Sequence, residues 1–143
     1  MVMDEFEATY EVRADKGYVL IRVKGPFPFE GLMRLQQTVV ADHDEFNRLW
    51  DFRAADLTSW TGEQIELYIG RLQASFPDRQ HRCVGAIVSR DIEFGLARMF
   101  ELSSQRRLPI EAGVFRDEAE AVKWIEGKAG ITSATDDAPL PGE

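Results

Sequence analysis

The sequence predicts an α/β domain with one five-stranded mixed sheet, an antiparallel first strand and four main helices. Three observations carry that prediction. From Arg82 to Ile125 the chain reads strand, helix, strand, helix: the apolar run Cys83–Val88, then about Ile92 to Ser104, then Ile110–Phe115, then a helix opened by Asp117. A strand, a crossover helix and a second strand imply parallel pairing in an α/β sheet. The N-terminal part instead alternates with a two-residue period around Ala14-Asp15-Lys16-Gly17, which has the composition of a hairpin turn. Between these regions, Thr61-Gly62-Glu63-Gln64 forms a capping box and starts a helix.

In chain order, Phe6–Val12 and Tyr18–Val23 make the hairpin, and Gly25, Pro26 and Pro28 end it. Phe29, Leu32, Met33, Gln36, Val39 and Val40 then mark one helical face through about Ala41. Arg48–Phe52 is short and apolar, as an interior strand should be. Ile65, Tyr68, Ile69, Leu72 and Phe76 follow the capping box at helical spacing, and Pro77 closes that helix. Asp91 is the expected cap of the next helix and Pro109 separates it from the last strand. The final helix, capped by Asp117, buries Ala121, Val122 and Ile125. The order is β-β-α-β-α-β-α-β-α. Residues 1–128 form the expected domain; from about 129 to 143 the composition shifts to Thr, Ser, Asp, Pro and Gly, predicting a flexible tail.

The chain has 143 residues, 44% of them hydrophobic, which suits one domain with its own core. A net charge of −8 speaks against a nucleic-acid surface and against anionic headgroups. No stretch is long and apolar enough to span a bilayer, and Met1-Val2-Met3-Asp4-Glu5 lacks the order of a secretory signal. The single cysteine, Cys83, lies in an apolar strand and is expected to be buried and inert. These features point to a cytoplasmic protein.

Three segments go beyond a generic α/β pattern: Leu49-Trp50-Asp51-Phe52-Arg53, Phe94-Gly95-Leu96-Ala97-Arg98-Met99-Phe100, and Val114 to Ile125. Over residues 5 to 126 the chain resembles the bacterial SpoIIAA-like family, distant relatives of the STAS domains of anti-sigma-factor antagonists. The resemblance implies a (βα) superhelix with a mixed sheet, and no defined activity. STAS relatives switch partners by phosphorylation at a helix start, within Asp-Ser-Ser/Thr-Gly. By that resemblance Ser59-Trp60-Thr61-Gly62 falls on the motif and Thr61 on the phosphoacceptor, but Ser59 replaces its Asp and Trp60 its Ser. The CRAL-TRIO lipid-transfer proteins share this architecture, which makes an apolar ligand the second implication.

Each candidate residue has a structural reading beside the functional one. Thr61 is sufficiently explained as a helix cap, a role worth about 1 kcal/mol. Asp51 ends a buried strand next to Arg53, so an ion pair accounts for it. Yet Asp51, Phe52, Ser89 and Asp91 fall at the C-terminal edge of the strands, where ligands gather in such sheets. Trp60 either contacts a partner or folds back over the helix start. Phe94, Arg98 and Met99 lie on a helix whose first turn is apolar on more than one side, with Gly95 allowing close approach. Trp50 and Trp124 read as core. His43 sits in the solvated run Asp42-His43-Asp44-Glu45, and His81 has no companion. No HExxH, CxxC, GxSxG or phosphate-cradling pattern occurs, so neither metal nor cofactor is expected and no catalytic residue is named.

Binding is therefore the expected role. A regulatory protein partner would dock on the helix starts at Thr61 and Ile92. An apolar or lipid-like molecule would instead enter a pocket opened by the helices from Phe29 and Phe94, among Leu32, Met33, Phe94 and Met99. An enzyme of unknown reaction is the third reading. The helix surface around Phe94 and Met99 lacks charge shielding and is the expected face of a homodimer.

Overall fold

The computed structural model describes residues 6–40, 42–43, 45–75, 82–107 and 110–137. Pro77, His81 and Pro109, read above as helix stop, unpartnered histidine and strand boundary, lie outside the described residues, as do positions 41, 44 and 138–143.

Strand β1 (Glu7–Arg13) turns through a 3-10 turn, Ala14–Lys16, into β2 (Tyr18–Pro26). Gly17 closes the turn with φ 81°, a conformation that side chains with a Cβ rarely adopt. Helix α1 (Phe29–Leu35) runs into a π-helical turn, Gln36–Val40, where His43 follows and its Nδ1 lies 2.7 Å from the Val39 carbonyl oxygen. Then come β3 (Asn47–Asp56), α2 (Gly62–Ser75), β4 (Arg82–Ile87), α3 (Asp91–Arg107), β5 (Ile110–Phe115) and α4 (Glu118–Asp137).

The five strands form one sheet in the order β1-β2-β3-β4-β5. β1 is antiparallel to β2, with Glu7 opposite Lys24 and Arg13 opposite Tyr18. All later pairs are parallel. The register slips between β2 and β3, where Arg22 faces Asp51 but Lys24 faces Ala54, so Val23 stands opposite two residues. Such a bulge sharpens the local twist and re-aims the neighbouring side chains.

Alternation along the strands divides the core in two. Val19, Ile21, Val23, Trp50, Phe52, Val88 and Ile110 face the layer made by α1, α2 and α3. Tyr18, Leu20, Leu49, Cys83 and Ile87 face the opposite side, where Ala121 and Ile125 of α4 cover them. Trp50 is core, as expected, and Cys83 is buried.

Two expectations need correction. β3 extends four residues past Phe52, because β2 continues beside it to Pro26 through the bulge. Asp91 stands inside the first turn of α3 rather than before it, and its carboxylate accepts from Arg116 at 2.7 Å. The backbone of α4 is helical to Asp137. On β1 the apolar side is only partly covered: Phe6 and Ala8 pack on the core, while Tyr10 and Val12 remain exposed.

Candidate functional site

The residues singled out from the sequence fall in three places. Asp51 lies on the α4 side of the sheet. It is 6% exposed and accepts from Arg22 Nη1 at 2.6 Å and Arg53 Nη2 at 2.8 Å. The same two arginines reach Glu118 in the first turn of α4, at 2.9 and 2.5 Å. Burial alone would raise the Asp51 pKa, but hydrogen bonds from the Arg53 side chain and backbone, with Arg22, outweigh it and hold it low. Glu118 is held low chiefly by Arg22. Two cations and two anions satisfy each other here. A groove of about 540 Å³ beside them is lined by Glu7, Thr9, Lys24 and Ala54 as well as Arg22, Asp51 and Arg53, again of mixed sign. The arrangement fastens α4 to the sheet.

Ser59, Trp60 and Thr61 form the start of α2. Thr61 Oγ1 accepts from the Gln64 backbone N–H at 3.2 Å, and Gln64 Oε1 accepts from the Thr61 N–H at 3.1 Å, the reciprocal pair of a capping box. Ser59 is exposed in the preceding turn. Trp60 is half-buried: its indole N–H donates to the Phe27 carbonyl at 2.7 Å, and its ring meets Phe27 and Phe29 with centroids 6.0 and 6.1 Å away. It folds back on the core instead of standing free.

Arg98 and Met99 occupy the outer side of α3, while Phe94 is half-buried and packs against the core. The Arg116 guanidinium lies 4.6 Å from the Phe94 ring centroid, Arg98 pairs with Glu101 at 3.2 Å, and Met99 is 40% exposed. A Cβ added at Gly62 would come within 2.8 Å of Met99 Cε, so Met99 lies over the start of α2. The α3 outer surface and the Thr61 helix start are thus neighbours, while Asp51 belongs to the opposite face.

The inner side of α3 holds what the sequence reading missed. A cavity of about 70 Å³ lies between the sheet and helices α2 and α3. That is several times the roughly 10–15 Å³ one water needs. Trp50 and Phe52 form its floor with Ala86 and Ala112, and Leu96, Ala97 and Phe100 of α3 close it above. Trp60 and Ile65 bound it at the start of α2. Small residues explain the space: Ala86, Ala97 and Ala112 line it with methyl groups, where larger side chains would fill it. Leu32 lines it as expected, whereas Met33, Phe94 and Met99 do not. Glu93 does, and it is fully buried. A charge on an otherwise apolar stripe gives no periodicity signal; the spacing Glu93, Leu96, Ala97, Phe100 was the available clue.

Among the described residues no group of three His, Cys, Asp or Glu could hold a metal ion, and no helix is long and apolar enough to cross a membrane.

No family model matches the chain, and no curated protein does either. A solved structure does resemble it: an uncharacterised protein of the DUF3478 family, with a SpoIIAA-like fold, from Shewanella loihica PV-4. The two superpose with a TM-score of 0.52 at 16% identity, over 84% of this chain and 93% of that one. The fold is SpoIIAA-like. At this identity the likeness carries the architecture alone, and the sheet order and four helices described above agree with it.

Proposed function

We propose that this SpoIIAA-like protein binds a small apolar compound in the cavity between its sheet and helices α2 and α3, as a non-enzymatic module. The observation that carries the reading is the cavity itself. Protein interiors normally close such space by packing, and small-molecule sites are concave, mostly apolar and furnished with few polar groups. This one has aromatic walls in Trp50, Phe52, Trp60 and Phe100, and one charged residue.

Docking of a regulatory partner at Trp60 and Thr61 has less support. Trp60 spends its indole N–H and its ring on the core, and the Thr61 hydroxyl is engaged by Gln64.

Native mass spectrometry of the protein purified from its own host tests the proposal. A retained small mass is expected, lost in Ala97→Leu, which puts a larger side chain into the cavity. An unliganded mass, with no stabilisation of the protein by small aromatic compounds, would overturn it.

A further inference from the structure

We infer that β1 is the interface of a homodimer, pairing antiparallel with β1 of a second copy about a two-fold axis through Tyr10. β1 ends the sheet, and among the described residues no strand pairs with its outer side. Its seven residues pair with β2 one to one without a bulge, and none is proline or glycine. Such a regular edge presents a row of backbone N–H and C=O groups to any strand that arrives. Natural edges are commonly blunted by a proline, a bulge or an inward-pointing charge. β1 has neither of the first two, and its apolar side is left open: Tyr10 is 51% and Val12 37% exposed. Thr9, Tyr10 and Val12 are residue types that suit a pleated, half-covered surface.

Charge selects the occupant. Side chains that face each other across two strands share a side of the sheet, so the axis of an antiparallel self-pair passes through a residue. With the axis at Tyr10, Glu7 of one copy stands opposite Arg13 of the other, and Ala8 stands opposite Val12. The whole strand is then paired, with opposite charges at both ends. The two neighbouring registers are shorter and worse: one sets Glu7 opposite Glu11, the other Glu11 opposite its own copy. Registers further off lose more than half of the strand. Both end groups are placed to pair on the α4 side of the sheet. The Glu7 side chain is 75% exposed, with Lys24 4.0 Å away. Arg13 is held at the edge by Glu11 and the Tyr18 hydroxyl, in three hydrogen bonds that use three of its five guanidinium N–H groups. On the other side, Tyr10 and Val12 of the two copies would cover one another. A two-fold pair closes, whereas pairing β1 with the opposite edge, β5, would run on into a filament. The outer face of α3, where the sequence suggests a dimer, exposes Met99 and Leu102, but Arg98 there is paired with Glu101 of its own helix.

Sedimentation equilibrium of the full chain over a concentration series tests the inference, which stands apart from the reading of the cavity. A seven-residue edge is smaller than a standard interface, so a dimer that dissociates at about 10–100 μM is expected. Glu7→Arg and Arg13→Glu should each weaken association at least about tenfold, because each sets like charges opposite one another twice across the axis. An equimolar mixture of the two variants should regain most of the original affinity, since every charged pair across the mixed interface is again of opposite sign. That recovery has no counterpart at an interface elsewhere on the molecule. Should Arg13→Glu not fold by circular dichroism, Tyr10→Lys, at an exposed position, should give a monomer by setting two cations on the axis. A monomer throughout the series, or two folded charge variants that do not recover on mixing, would overturn the inference. A dimer that survives Glu7→Arg and Tyr10→Lys but is lost in Leu102→Lys would overturn it in favour of the α3 face.

Discussion

Glu93 and Phe94 are neighbours in sequence but point about 100° apart around α3. That rotation separates the site proposed here from the one the sequence favours. The apolar residues Phe94 and Met99 draw attention because hydrophobicity is what a helical stripe displays. The inward stripe instead contains a carboxylate, whose partner Arg90 precedes it by three residues and is visible as a pair only once the helix is built. Thr61 shows the opposite case. Its role is legible because a capping box is a local motif, with donor and acceptor within four residues. Thr61→Ala should destabilise the protein by roughly 0.5–2 kcal/mol, since two backbone donors share that arrangement. Urea denaturation checks this, and an unchanged midpoint would mean that the cap contributes nothing.

At the scale of elements, helices with strong start signals were legible and those without were less so. Asp117 caps α4 through the Glu120 N–H at 3.1 Å, as its spacing predicts. The π-helical turn that continues α1 has no such signature, and neither does the bulge that lengthens β3. The bulge arises from packing of β2 against β3, segments far apart in the chain. Gly31 in α1 illustrates how such packing overrides local preference. A Cβ there would meet Phe27 Cε1 and Phe6 Cε1, each at 2.9 Å. These rings form an edge-to-face pair with centroids 5.0 Å apart, and Phe27 is fully buried. Alanine would gain about 1 kcal/mol of helix propensity. Overpacking against two rigid rings costs about 1–3 kcal/mol and should win. Gly31→Ala is therefore expected to lower the urea midpoint, and a raised midpoint would show that α1 can shift away from the rings.

At the scale of the molecule, strand order and helix number could be read from the sequence, but the side of the sheet taken by α4 could not. A crossover helix is constrained by the strand that follows it. In the described chain α4 has no following strand, so its placement depends on what it buries and what holds its ends. Ala121 and Ile125 supply the buried contact, and the Arg22–Asp51–Arg53–Glu118 cluster holds the first turn. Near the middle of the helix, the Tyr18 hydroxyl accepts from Arg13 at 2.6 Å and donates to Glu126 at 3.4 Å. This attachment predicts a pH dependence whose sign follows from the carboxylates. Asp51 and Glu118 both titrate below their ordinary values in the folded protein. The folded state therefore holds these protons less tightly than the unfolded chain does. Their stabilising contribution is complete above the ordinary carboxylate range, near pH 4, and is lost as pH falls through that range toward the depressed folded values. Asp51→Asn should cost roughly 1–3 kcal/mol at neutral pH, because two arginines lose a nearly buried anionic acceptor. The gap between this variant and the unaltered protein should narrow as pH falls from the ordinary carboxylate range toward the depressed folded value, where Asp51 itself becomes neutral. Urea midpoints measured across that interval decide the matter: a gap that stays constant with pH would mean that the cluster acts through shape alone and not through its charges.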